Sequence, residues 1–435
     1  MNVSRVPRGW GLSLLTVAAV GILVATLGQT RASTQAGKAS GRAVLFASAG
    51  NELTRYDVDV NAGTLTKRES MMLPGFITEA TMHPSKQYTY IVWGKFVPGD
   101  PGGFQIHGQP HDQGMSAFRV DPATGALTAH GPSVSLGHSP GYISAVTTDV
   151  PGNYVLAADS DPSRISVHTL LPDGTIGKEI VSPGKLDFGI HAHQVRMDPS
   201  GQTVILPCRG DSANGKELAG SLKLFAFKDG ILTERQSIGA GDDFHFNARH
   251  MDFHPSGKWD YFTTEAQNKL LVYERMQNGS LGKQLYAANT LSEPGNVRPG
   301  QIAGTVHVHP NGRIVYVANR ASGTTMVDGK RVFVGGENTI AVFSINQSTG
   351  EPTLIQNIDT RGIHARTFTI DPTSRMLVAG NTQRLPVKVG NTYRDLPAGM
   401  ATYHIAADGK LEFVRKYDVP EGTTQMFWIG FVPLP

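Results

Sequence analysis

The residues best suited to chemistry in this chain stand at fixed distances from a recurring turn proline. Six residues before Pro199, Pro255 and Pro372 lie His193, Arg249 and Arg366. Ten residues after Pro199, Pro255 and Pro310 lie Arg209, Glu265 and Arg320. The other copies of the mark place Thr78, Ala145 and Gly304 at the first position, and Gly94, Asp161 and Thr382 at the second. Guanidinium groups bind carboxylates or phosphates through paired N–H donors. They also stabilise an oxyanion as its charge develops. His193 and Glu265 are candidates for proton transfer or water activation, with Arg249 and Arg320 as the charge-stabilising pair. Arg366, Arg209, His250 and His307 are candidate substrate contacts beside them, in the company of His191, Gln267 and Asn319. The competing reading is structural: Arg249 and Glu265 could simply pair and plug a channel.

Two alternating motifs must position these side chains. One is a strand, a glycine turn and a strand, as in LTRYDVDVNAGTLT (53–66) and MATYHIAADGKLEF (400–413). It occurs seven times, with turn glycines Gly63, Gly125, Gly174, Gly230, Gly279, Gly350 and Gly409. The other is a strand, a proline turn and a strand, as in RMDPSGQTVILP (196–207) and HVHPNGRIVYVA (307–318). Six copies are clear, and the seventh is divided between RAVLFASAG (42–50) and TTQMFWIGFV (423–432). Period-2 alternation with Asp-Pro and Asn-Gly turns indicates strands. Two hairpins per unit, repeated seven times, predict an all-β, seven-bladed β-propeller with four antiparallel strands per blade. Strands from both termini would share one blade and close the ring. In that architecture the first strand of each blade lines a central channel, so the marked residues converge on one channel mouth.

At these residues the chain resembles the lactonase family of seven-bladed propellers, which includes propeller-type 6-phosphogluconolactonases and fungal carboxy-muconate cyclases. The matching segments include HAHQVRMDPSGQTVILP (191–207), ARHMDFHPSGKWDYFTTE (248–265), VHVHPNGRIVYVANR (306–320), HARTFTIDPTSRMLVAGNTQ (364–383) and QMFWIGF (425–431). The resemblance implies a site on His193, Arg249, Glu265 and Arg320, with Arg366 and Trp428 nearby. It implies hydrolysis of a lactone ring by the lactonase members, or proton transfer during ring closure by the cyclases. The chain departs from the family pattern at Asn247-Ala248 and Thr305, and by insertions near 95–114 and 209–220. These departures bear on the substrate rather than on the fold.

The N-terminus reads as a leader. Arg5 and Arg8 precede an apolar run from Trp10 to Gly28, followed by small-residue sites at Thr30–Ala32 and Thr34–Ala36. That order marks residues 1–36 as a secretory signal peptide, or an uncleaved anchor, ahead of a single domain over 37–435. The expected location is therefore periplasmic or secreted, with no stable membrane contact after cleavage. Export argues against 6-phosphogluconolactone, a cytoplasmic metabolite, as substrate. The formal charge of +3 belongs to this leader: without Arg5, Arg8 and Arg31 the basic and acidic residues balance at 36 each. With no basic tract, nucleic-acid binding is not expected.

The lone Cys208 is read as a small buried hydrophobe. Gly210–Lys216 has the G-x-x-x-x-G-K spacing, but Glu217 follows and no helix is expected, so no nucleotide cofactor is implied. The His-x-His pairs at 191–193 and 307–309 lack a carboxylate cage, so no metal is expected either. The leading expectation is an exported lactonase-like hydrolase acting on a small anionic substrate, a sugar lactone or related cyclic ester. A non-catalytic propeller binding a ligand or protein partner is second, and a muconate-type cycloisomerase third.

Overall fold

A computed structural model describes residues 42–95, 111–139, 145–211, 218–239, 246–419 and 425–434. The proposed leader and the centre of each insertion (96–110 and 212–217) lie outside them. The described residues form strands and turns without a helix.

Seven four-stranded antiparallel units surround the channel. Blade one joins the chain ends: Met426–Pro433 is its inner strand, and Ala43–Ala49, Glu52–Asp59 and Thr64–Met72 follow outward. Ala43 pairs with Pro433, and Ala47 with Ile429. The remaining inner strands are Phe76–Met82, Ala145–Asp149, Arg196–Met197, Ala248–Phe253, Ile302–Val308 and Ile363–Ile370, for blades two to seven.

The buried pattern follows from the stacking. Second strands are covered on both faces by neighbouring blades, so Tyr88–Gly94, Ile314–Arg320 and Met376–Gln383 are buried throughout. Outermost strands such as Leu411–Asp418 are largely open to solvent. Apolar clusters lie between blades: Trp259 and Tyr261 of blade five pack with Val306, Val315 and Phe343 of blade six.

The seven turn glycines predicted from the repeat lock the blades together. Each has a positive φ, between 64° and 87°. Each also lies against a side chain of the preceding blade. A Cβ on Gly350 would stand 2.6 Å from the Trp259 indole, and one on Gly409 would stand 2.3 Å from Ile314. Buried tyrosines complete the lock: Tyr90, Tyr261 and Tyr316 donate to the carbonyls of Gly174, Gly350 and Gly409 at 2.9, 2.7 and 2.9 Å. A buried phenol needs such an acceptor.

Three features go beyond the expected four strands per blade. Val134–Ser139 adds a fifth strand to blade two. Hairpins Thr324–Val327/Lys330–Phe333 and Leu385–Val389/Thr392–Leu396 are inserted in blades six and seven, where they pack against each other. Both insertions follow the second strands, and therefore rise from the face on which Arg320 and Gln383 end.

Candidate functional site

A recurring irregularity of the inner hairpin shapes the channel mouth. The pairing register slips at Ile77/Glu79, Ala248/Met251, Ala303/Val306 and Ala365/Thr367. Blades one and three slip at the corresponding places. In blade four, pairing is reduced to Arg196–Met197 and an isolated bridge between Ala192 and Cys208. An extra residue on one strand re-aims its side chains. Arg249 and its neighbour His250 thereby both enter the charged network, and Glu79 takes the corresponding place on blade two.

Glu265 is the hub. Its Oε1 lies 2.8 Å from Arg249 Nε and also accepts from Arg320 Nη2, while Oε2 lies 2.8 Å from Arg209 Nε. Arg249, Glu265 and Arg320 are all nearly inaccessible to solvent. Burial alone would raise the Glu265 carboxyl, but Arg209, Arg320, Arg249 and Arg366 outweigh it and hold it at about 2. The arginines respond in turn: burial and mutual repulsion lower Arg249 well below its ordinary value and Arg366 to about 9. The Arg366 guanidinium lies 3.8 Å above the Phe427 ring, an attraction to the ring's negative face.

Imidazoles surround this hub. Arg249 Nη1 donates to His250 Nδ1 at 3.2 Å, and the His193 and His250 rings lie 5.0 Å apart. Burial, reinforced by Arg249, pushes both imidazoles well below their ordinary range, so both are neutral at pH 7. His193 Nδ1 is buried without a hydrogen-bond partner among the described residues.

His364 was not singled out from the sequence. Arg320 Nη1 donates to its Nε2 at 3.3 Å. Its φ of 60° is left-handed, a conformation costing about 1–2 kcal/mol outside glycine that persists where neighbours over-determine it. The signal was available: His364 stands two residues before Arg366, as His191 (φ 49°) stands before His193.

Trp428 and His307 each have a protein partner. Trp428 Nε1 donates to Glu79 Oε1 at 3.1 Å. His307 lies 3.6 Å from Asp252, which Arg196 holds at 3.2 Å; Arg196 in turn lies 3.8 Å from Asp149. This chain of charges crosses blades three to six. His307 precedes its turn proline by only three residues, so it sits roughly 10 Å further along its strand than the arginine position. Cys208 is buried, its thiol donating to Phe188 O at 3.3 Å and burial raising it to about 12.

The family model described as "Lactonase, 7-bladed beta-propeller" matches residues 45–389. The chain is 27% identical over 281 residues to a 6-phosphogluconolactonase of Bacillus subtilis, covering 62% of this chain and 71% of that protein. It is 24% identical over 375 residues to the 6-phosphogluconolactonase of Pectobacterium carotovorum, covering 86% and 93%. Among solved structures it resembles a periplasmic gluconolactonase of Pseudomonas aeruginosa, with 16% identity, TM-score 0.65, and coverage of 90% of this chain and 99% of that one.

Proposed function

This chain belongs to the lactonase family of seven-bladed β-propellers, and on that premise we propose that it is an exported hydrolase opening a sugar lactone or related cyclic ester with anionic character. One observation carries the reading. Four guanidiniums, three of them buried (Arg249, Arg320 and Arg366) and the fourth, Arg209, partly exposed, act on a single carboxylate, Glu265, at the channel mouth. Positive charge held in excess inside a protein is stabilised by an anion, and an anion is what lactone hydrolysis makes, first as tetrahedral oxyanion and then as carboxylate.

The roles divide accordingly. Arg249 and Arg320 stabilise the oxyanion, and Arg209 and Arg366 hold anionic groups of substrate or product. Glu265 is too strongly held as a carboxylate to take up a proton at neutral pH; its work is to hold three guanidiniums in one fixed arrangement. That revises its expected part as an activator of water. His193, neutral and with an Nδ1 that has no hydrogen-bond partner among the described residues, is the group able to accept the proton of an attacking water. His250 supports Arg249 and lies beside the same space. The paired charges also match a structural plug, but a plug balances its charges, and here arginines outnumber the carboxylate. Export is supported by the leader-like order of residues 1–36 and by the likeness to a periplasmic gluconolactonase.

The test is a lactone panel including glucono-δ-lactone, with product detection separating hydrolysis from isomerisation. Arg249→Ala is expected to lower kcat/KM by roughly 10²–10³-fold. Hydrolysis left intact by both Arg249→Ala and Glu265→Ala sinks the proposal. Binding of a lactone without turnover would favour the binding propeller.

A further inference from the structure

One carboxylate in the channel stands outside the ion pairs of the arginine hub. Glu79 lies on the inner strand of blade two, directly after Thr78, the extra residue at the register slip of its hairpin, and three blades from Arg249. It corresponds in register to His250 of blade five. It is only half-buried, so channel water reaches it. Its Oε1 accepts from Trp428 Nε1 of blade one at 3.1 Å, which fixes the carboxyl's orientation. The Phe76 and Phe427 rings on the same two strands lie 4.9 Å apart, edge to face, and Phe427 carries the Arg366 guanidinium. Glu79 and the Arg366 guanidinium thus both lie against side chains of the same pair of inner strands.

We propose that Glu79 is the general acid of this channel, delivering the proton that the ring oxygen needs when the lactone C–O bond breaks.

The inference rests on the lactonase reading and deepens it. Water attacks the carbonyl carbon, forming a C–O bond as its proton passes to His193. The tetrahedral oxyanion lies against Arg249 and Arg320. On collapse, the bond from carbon to ring oxygen breaks, and the departing oxygen takes the proton of Glu79. The products are a carboxylate and a hydroxyl on one open chain. His193 then returns its proton to Glu79 through water, and one proton leaves with the ionised product acid. An unassisted alkoxide is a poor leaving group, and a positioned acid of this kind contributes typically 10²–10⁴-fold.

The surroundings suit the role. Burial raises the Glu79 carboxyl, the Trp428 hydrogen bond and the fields of Arg366, Arg196 and Arg249 oppose that rise, and the balance is about 7. Other ionisable groups around it are committed: Asp149 of blade three to Arg196, and His250 to Arg249. An acid must hold its proton near working pH, which Glu265, at about 2, cannot do.

The experiment compares the wild type with Glu79→Gln and Trp428→Phe, using glucono-δ-lactone with spontaneous hydrolysis subtracted. The wild-type kcat should fall on the alkaline side with a midpoint near 7. Glu79→Gln keeps an acceptor for Trp428, so it should fold; its kcat at pH 6 should fall roughly 10²-fold, and the alkaline limb should vanish. Trp428→Phe removes a bond that favours the ionised form, so its limb should move to higher pH. Tryptophan fluorescence gives a readout without substrate: a transition near pH 7, lost in both variants. An active wild type whose alkaline limb survives in Glu79→Gln, or a wild type without that fluorescence transition, overturns the assignment alone. A wild type that hydrolyses no member of the lactone panel overturns the lactonase reading beneath it.

Discussion

Glu265 and Glu79 face one channel from blades three apart, and their neighbours drive them to opposite protonation states. Glu265 sits among Arg209, Arg249 and Arg320 and is held at about 2. Glu79 has an indole N–H as its hydrogen-bond partner, and burial carries it to about 7. Both are glutamates bordering the same space, Glu79 on a strand and Glu265 directly after one, so chemistry does not separate them. Proximity to guanidiniums does. One side of the ring supplies fixed charge that accepts no proton; the other supplies a carboxyl able to exchange one. Environments that drive two carboxyls apart divide electrostatic work from proton transfer.

The sharpest way to break this contrast is to neutralise each in turn. Glu265→Gln leaves the buried Arg249 and Arg320 and the partly exposed Arg209 without their carboxylate. It should destabilise the protein by about 3–5 kcal/mol, as loss of one partner from a buried ion pair does. Glu79→Gln should cause no such loss. Denaturant unfolding at pH 7 measures both, and equal losses would erase the distinction.

Stability against pH tests the same contrast with opposite signs. The folded value of Glu265 is lowered from 4.5, so its contribution is present above about 4.5 and disappears as pH falls through about 2. The deficit of Glu265→Gln should therefore narrow in acid. The folded value of Glu79 is raised from 4.5, so its contribution is present below 4.5 and is lost as pH rises through about 7. Relative to the wild type, Glu79→Gln should gain about 1–3 kcal/mol across that window. Unfolding curves from pH 2 to 8 give the slopes.

Gly350→Ala acts far from both carboxyls. Its φ of 78° and the Trp259 ring 2.6 Å from the new Cβ should reduce stability by about 2 kcal/mol. Thermal melts should show that loss while kcat of the folded protein stays unchanged. A changed kcat would mean that the blade lock and the channel are coupled. The smallest effect belongs to His364→Asn, since Asn tolerates the left-handed backbone. Losing the acceptor for Arg320 should lower kcat/KM roughly tenfold, about 1.4 kcal/mol, and leave the pH limb assigned to Glu79 in place.

Much of this was legible before folding. Counting from the turn prolines brought Arg249, Glu265, Arg320 and Arg209 to one hub, because a strand advances by a constant rise per residue. The same count missed Glu79, which stands beside the marked Thr78. A register slip re-aims that neighbour, and a slip depends on pairing with the opposite strand. The inserted hairpins had a readable signal in Asp328-Gly329, whose φ values of 49° and 75° suit a tight hairpin turn. His307 was drawn toward the mouth by its type, whereas its distance from the turn set its partner as Asp252.

By itself the sequence determined the strand period, the seven blades, the turn glycines and the blade shared by both ends. These follow from local alternation and turn chemistry, which repeat along the chain. Only the tertiary structure decided which carboxylate stays ionised and which keeps its proton. That depends on the summed fields of arginines brought from separate blades, and on how much water remains beside each group. Neither is a property of any one segment.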